Sequence, residues 1–218
     1  MVYPKFPDTF WSFKHALKFV RKKSSSPPLG LLTIANMLPA DWNLKLVDMN
    51  VVRLKKKDLK WADYVFISGM TIQRDSAREV IQLSNDMGVK VVAGGPLFTT
   101  EYEDFTGVDH FILNEAEITL MDFLNDLKEG HTKQVYQTEQ FADMHETPPP
   151  LWDLIDYKHY ATMAIQYSRG CPFNCDFCNV TALLGHRMRL KTSTQILVEL
   201  DALYESGWRS GIFFVDDN

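Results

Sequence analysis

Tyr64-Val-Phe-Ile-Ser-Gly-Met70, a helical run ending at Gly88, and Val89-Lys-Val-Val-Ala-Gly-Gly95 form the stretch that decides the fold. Apolar, β-favouring residues stop at Ser68-Gly69. The next segment places Ala77, Val80, Ile81, Ser84 and Met87 on one helical face, and a second apolar strand follows at once. Two strands that are apolar on both faces, with a helix between them, predict a parallel sheet, because parallel neighbours need a crossover connection.

The same alternation extends outward over residues 28–130. Further strands are expected at residues 44–48 and 110–113, and a last helix carries Leu120, Phe123, Leu124 and Leu127 and closes at Gly130. Met1-Val-Tyr-Pro4 reads as the stump of a first strand. With it, residues 1–130 become an α/β, doubly wound parallel-sheet domain of flavodoxin-like type with five strands. Residues 29–38, apolar nearly all round behind Pro27-Pro28, predict a buried helix. Phe10, Phe13, Leu17 and Val20 share one helical face and predict core packing, with a lid over a flat cofactor as the alternative. Sheets of this kind bind ligands at the carboxyl ends of their strands. Those ends carry Ser68-Gly69, Gly94-Gly95 and Asn114-Glu115. Each glycine taken alone reads equally as a turn residue; three such ends together favour a crevice, with Ser68, Gly69, Gly94, Gly95 and Glu115 as its candidates.

Residues 131–160 lack sustained periodicity and contain Thr147-Pro-Pro-Pro150, a stiff connector. Beyond it, residues 161–218 predict a strand at 163–167, a cysteine-bearing loop, a helix from a Thr192/Gln195 capping box to Gly207, and a strand at 211–215. This amounts to one and a half βα units, ending at Asp216-Asp217-Asn218.

The chain's 3 cysteines all lie in Cys171-Pro-Phe-Asn-Cys175-Asp-Phe-Cys178. Three thiolates on one loop can hold three irons of a 4Fe-4S cluster and leave the fourth iron open to a ligand. Cys-x-x-Cys also marks zinc, but zinc wants a fourth ligand, and the nearest candidate is His186 with no second cysteine pair. A disulfide would leave one thiol over, and the N-terminus has no signal-peptide pattern, so a reducing, cytoplasmic setting is expected. The net charge of −5 excludes general nucleic-acid binding, which needs a basic surface. The basic runs Arg21-Lys-Lys23 and Arg53-Leu-Lys-Lys-Lys57 read as solvated ends, with peripheral contact to an anionic membrane as the alternative.

The order of a doubly wound domain, a Pro-containing connector and Tyr167-Ser-Arg-Gly-Cys-Pro-Phe-Asn-Cys-Asp-Phe-Cys178 resembles radical S-adenosylmethionine (radical SAM) proteins with an N-terminal cobalamin-binding domain. Ile67-Ser-Gly-Met70, Ala93-Gly-Gly-Pro96 and Phe213-Phe-Val-Asp-Asp-Asn218 are similar to the subgroup that includes hopanoid methylases. The resemblance implies that Cys171, Cys175 and Cys178 ligate a 4Fe-4S cluster and that Phe177 shields it beside SAM. It further implies that Asp216, Asp217 and Asn218 stand where the family binds the SAM ammonium, with plain strand capping as the alternative. Arg187 and Arg189 would meet the SAM carboxylate through a forked hydrogen bond or merely solvate the loop. Cobalamin is implied as a further cofactor. The Asp-x-His-x-x-Gly motif for an axial histidine is absent, and His15 and His110 read as surface or packing residues. The implied activity is methyl transfer from SAM to an unactivated carbon through a 5'-deoxyadenosyl radical; cyclisation, oxidation or ring contraction, and a non-catalytic cobalamin-binding fragment, are the alternatives. A small-molecule or lipid substrate and an electron donor such as flavodoxin or ferredoxin are expected partners. A partial barrel needs more βα units than the one and a half here, so the 218 residues alone are expected to be inactive.

Overall fold

The computed structural model describes residues 1–9 and 12–217 and divides into two units: residues 1–12 with 45–139, and residues 13–44 with 140–218. In the first unit six parallel strands stand in the order β2 (Val47–Asp48), β1 (Val2–Tyr3), β3 (Tyr64–Ser68), β4 (Lys90–Gly94), β5 (His110–Ile112), β6 (Val135–Tyr136). The strand alternation sorts the core into two faces. Val65, Ile67, Val91 and Ala93 share a cluster with Leu59 of α3 (Lys56–Trp61), Ala77, Val80 and Ile81 of α4 (Arg74–Asp86) and Leu97 and Phe98 of α5 (Pro96–Glu101). On the other face, Phe66 and His110 meet Phe123 of α6 (Ala116–Glu129) at ring-centroid distances of 6.4 and 5.0 Å. The helix α4 face expected from the sequence is buried, except that Met87 is only half-buried, and Gly88 and Gly130 close α4 and α6 as expected.

The sheet has six strands where five were expected. The extra strand, β6, lies in the stretch read as connector: Phe111 N–H donates to Gln134 O at 2.7 Å and Leu113 N–H to Tyr136 O at 2.9 Å. Tyr136 packs edge-on against Phe123 and donates its hydroxyl to Asp126. Two residues are too few to show a strand period, so the pairing is set by tertiary contacts.

The second unit takes in residues 13–44, which the linear order had put in the first domain. Their helices are α1 (Lys14–Phe19) and α2 (Leu29–Ala35). The cause is visible in the backbone: Leu151 N–H donates to Leu32 O, Asn36 Nδ2 to Pro149 O, and Ser24 bridges Tyr160. The proline-rich stretch is thus stitched along α2. Helix α2 is buried at Leu31, Leu32 and Ala35 but exposed at Gly30, so its burial is one-sided. Among the described residues of the stripe expected to pack, only Leu17 is buried. Phe13, in the left-handed conformation just before α1, and Val20, just after it, are half exposed or more, because a six-residue helix is too short to carry that face. Phe10 of that reading lies outside the described residues.

The rest of the unit is built on β7 (Met163–Ile165), which pairs in parallel with β10 (Ile212–Phe214) across α8 (Ser193–Glu205). Between them, β8 (Ser168–Arg169) and β9 (Arg189–Leu190) form an antiparallel pair that encloses the cysteine loop and the short α7 (Val180–Leu184). The expected Thr192/Gln195 box opens α8: Gln195 N–H donates to Thr192 Oγ1 at 3.1 Å, and Thr192 N–H to Gln195 Oε1 at 2.9 Å.

Candidate cofactor sites

In the first unit the register sets Ser68 beside Gly94, so the carboxyl ends of β3 and β4 form one rim with Gly95 next to it. Ser68, Gly94 and Gly95 are half-buried there and Gly69 is buried. The glycines were expected to line a ligand crevice, and at Gly94 the space a side chain would need is taken by the protein itself. A Cβ there would lie 2.6 Å from Ile112 O on the neighbouring strand, and one at Gly95 would strike the Ser68 hydroxyl. These two glycines therefore serve strand packing and the turn. What the rim offers a flat, apolar-faced ligand comes instead from Met70 and Ile72, which follow β3 directly and are 48 % and 54 % exposed. Ile72 was missed in the sequence, because one apolar residue in a turn carries no periodic signal. A corrin, apolar on its faces and fringed with amides, is chemically suited to such a rim.

The strand order reverses around β1, and the ends of β1, β2 and β3 there are locked by an internal polar network. Buried Gln73 accepts from Met70 N–H at 2.8 Å and donates to Pro4 O, while Asn50 accepts from Phe6 N–H and donates to Asp48 at 2.7 Å. Burial, reinforced by the Asp48 charge and opposed by Gln73, pushes the Tyr3 phenol well above its ordinary value. Glu115 is 4 % exposed at the N-cap of α6, where a carboxylate suits the positive helix end. His110 packs on Phe123 with Nδ1 2.7 Å from Lys133 O, and His15 is exposed.

In the second unit Cys171, half-buried, and Cys175 and Cys178, exposed, are all free thiols on the loop after β8. Cys171 N–H donates to Gly185 O at 3.2 Å, and Cys178 N–H to Cys175 O at 3.0 Å. Among the described residues no three Cys, His, Asp or Glu side chains converge on a single ion. A cluster takes its thiolates at separate corners, so the donor set fits a 4Fe-4S group in kind: three thiols, accessible, on one loop. Phe177 is 93 % exposed between the last two cysteines, and Arg187 is exposed beyond them.

The acidic strand end does something definite. Asp216 Oδ1 accepts from Tyr167 N–H at 2.8 Å and Ser168 N–H at 2.9 Å, and Asp217 Oδ2 accepts from Gly170 N–H at 3.0 Å. Both carboxylates thus hold the neck of the cysteine loop, the capping role that was the alternative to binding an ammonium. Burial, with Asp216 alongside, raises the Asp217 carboxyl against the opposing pull of Gly170 N–H, Arg169 and Arg189. Asn218 lies outside the described residues. Arg189, expected beside Arg187 as a partner for the SAM carboxylate or a loop-solvating residue, donates its guanidinium to Ala142 O at 2.7 Å and Leu184 O at 2.9 Å.

Residues 20–124 match the B12 binding domain family. An uncharacterized methyltransferase of Synechocystis sp. is 44 % identical over 220 residues, an alignment that takes in 100 % of this chain and 41 % of the relative. The hopanoid C-2 methylase of Rhodopseudomonas palustris is 34 % identical over 222 residues, covering 100 % of this chain and 42 % of that protein. The chain thus spans about two fifths of the length of these curated relatives. Among solved structures, the cobalamin-dependent S-adenosylmethionine radical enzyme OxsB, with aqua-cobalamin and S-adenosylmethionine bound, superposes with a TM-score of 0.74 at 18 % identity over 100 % of this chain and 33 % of that one. The radical S-adenosylmethionine methyltransferase TsrM of Kitasatospora setae, with cobalamin and a [4Fe-4S] cluster bound, gives 0.68 at 16 % identity over 100 % and 48 %. At such identities the two likenesses establish the fold. Residues 20–124 therefore resemble a B12-binding domain, and the chain as a whole is similar to part of the hopanoid C-2 methylase.

Proposed function

We propose that this chain is the cofactor-carrying part of a cobalamin-dependent radical SAM methyltransferase that acts on an unactivated carbon of a small-molecule or lipid substrate. The observation that carries the reading is the set of three free thiols on the loop after β8, in the same chain as a B12-binding domain. Relatives named as methyltransferases favour methyl transfer over the other outcomes of radical chemistry.

Bound together, cobalamin would supply methyl carriage and the cluster one-electron cleavage of SAM. The chain's own residues do the placing. Ser68, Gly69, Met70 and Ile72 present the rim for a corrin, with no imidazole offered by an Asp-x-His-x-x-Gly motif. Cys171, Cys175 and Cys178 would hold iron, Phe177 would cover it, and Arg187, on the same loop, would meet an anionic group. Asp216 and Asp217 keep the neck of that loop closed. An external one-electron donor such as flavodoxin or ferredoxin belongs to the proposal.

Anaerobic reconstitution with iron and sulfide in the presence of hydroxocobalamin tests the combination. The expected result is one cluster and one cobalamin in the same chain, the cobalamin with an absorption spectrum that lacks imidazole ligation. Binding of either alone, under conditions where circular dichroism shows the chain folded, would contradict it.

A further inference from the structure

Residues 141–147, within the stretch read as a connector, lie against the cysteine loop inside the second unit. Ala142 and Met144 are 3 % and 1 % exposed. The Gln195 side chain, on the first turn of α8, donates to Met144 O at 3.0 Å and His145 O at 3.1 Å. Arg189 stacks its guanidinium 5.1 Å from the centroid of the Phe141 ring while its two terminal nitrogens reach Ala142 O and Leu184 O. A Cβ built on Gly185 would come within 2.9 Å of the same ring, and Gly185 also has φ +81°, so a side chain is disfavoured there twice over. Gly185 O in turn receives the Cys171 N–H. A chain of direct contacts therefore runs from Arg189 through Phe141 and Gly185 to the backbone of Cys171, whereas Cys175 and Cys178 lie on the exposed part of the loop.

We propose that Phe141 and Arg189 form a brace that positions Cys171 for metal binding, so that one ligand is fixed in advance and the exposed pair, Cys175 and Cys178, completes the site. The inference rests on reading the three cysteines as cluster ligands. Phe141 and Arg189 touch no reacting atom; they are positioning residues that act through Gly185. Pre-setting one ligand lowers the ordering cost of binding and slows release of the bound group. A cation–π contact together with the hydrogen bonds of a forked guanidinium is enough to change the population of the braced arrangement of Cys171 roughly tenfold.

The test compares the unaltered chain with Phe141→Ala, Phe141→Tyr and Arg189→Lys, using two readouts that need no turnover. In the metal-free chain, alkylation by iodoacetamide followed by mass spectrometry should show Cys171 reacting roughly tenfold faster in Phe141→Ala, with Cys175 and Cys178 unchanged. After reconstitution, the same variant should lose iron to a ferrous chelator roughly tenfold faster, and its reduced cluster should give an altered electron paramagnetic resonance spectrum. Phe141→Tyr keeps the ring and should behave as the unaltered chain. Arg189→Lys keeps the charge but loses the fork, and should fall between. Iron retention and spectrum unchanged in both Phe141→Ala and Arg189→Lys overturn the brace. An unaltered chain that takes up no iron overturns the cluster reading instead, and the brace with it. If Phe141→Ala fails to fold by circular dichroism, Arg189→Lys carries the decision alone.

Discussion

Lys191→Met should destabilise the second unit by about 3 kcal/mol at neutral pH, because it strands a buried charge. The Lys191 and Glu199 side chains, 3 % and 2 % exposed, form an ion pair between the residue after β9 and the middle of α8. Glu199 Oε2 has no partner among the described residues, so the pair is incompletely satisfied and its own desolvation is poorly offset. Breaking one side of a buried pair costs about 3–5 kcal/mol, while replacing both sides by apolar groups is neutral or stabilising. Lys191→Met/Glu199→Leu should therefore recover most of the loss. The pH dependence follows from the direction of the Glu199 shift: burial raises its pKa, and Lys191 pulls it back down. Without Lys191 the pKa rises further. Below the ordinary glutamate value of about 4.3 both folded and unfolded chains hold the proton, and the penalty is small. As pH rises through the window up to the raised value, the unfolded chain releases a proton that the folded one keeps, and stability falls. Urea unfolding at neutral and acid pH, followed by fluorescence of the buried Trp152 and Trp208, measures this. A loss under about 1 kcal/mol, a loss equal at both pH values, or a double variant as unstable as the single one would refute the reasoning.

Asp216→Ala should cost about 2 kcal/mol by orphaning the Tyr167 and Ser168 amides, while Asp216→Asn, whose amide oxygen still accepts, should melt close to the unaltered chain; equal destabilisation of the two would count against the capping role. Gly94→Ala drives a methyl against Ile112 O and should cost about 1–3 kcal/mol by denaturant unfolding, with a neutral result showing that the β4 to β5 contact is looser than described. Lys45 bonds Asp58 at 2.7 Å; burial pushes that carboxyl up, but Lys45 and the Lys55 amide outweigh it and hold the pKa below its ordinary value. Lys45→Met should thus cost about 0.5 kcal/mol at neutral pH, a difference that vanishes as pH falls and Asp58 protonates, and a pH-independent loss would assign the effect to packing.

The parallel sheet was legible because its signals are local. Tyr64–Ser68 is strand to the residue, the α4 face is buried at Ala77, Val80, Ile81 and Ser84, and the α8 capping box forms as its spacing implies. Strand β6 escaped because two residues have no period, and the Phe141 strap escaped because its partners, Gly185 and Arg189, are distant in sequence and bonded mostly through backbone carbonyls. Residues 13–44 read as part of the first domain because chain order was the only guide; the hydrogen bond from Leu151 to Leu32 that draws them to the second unit has no sequence signature. The cysteine spacing was plain, whereas the job of the acidic strand end was not. A carboxylate that accepts from an ammonium and one that accepts from backbone amides look the same in sequence; the structure adds the amides of Tyr167, Ser168 and Gly170 as partners of Asp216 and Asp217.

The reading of the cysteine loop as a cluster site is tested most directly by the Mössbauer spectrum of the anaerobically reconstituted chain, recorded beside that of a Cys171→Ala/Cys175→Ala/Cys178→Ala variant. The account predicts the signature of a 4Fe-4S cluster in the first and none in the second. Tight stoichiometric zinc with no iron uptake, or a cluster undiminished in the triple variant, would contradict it.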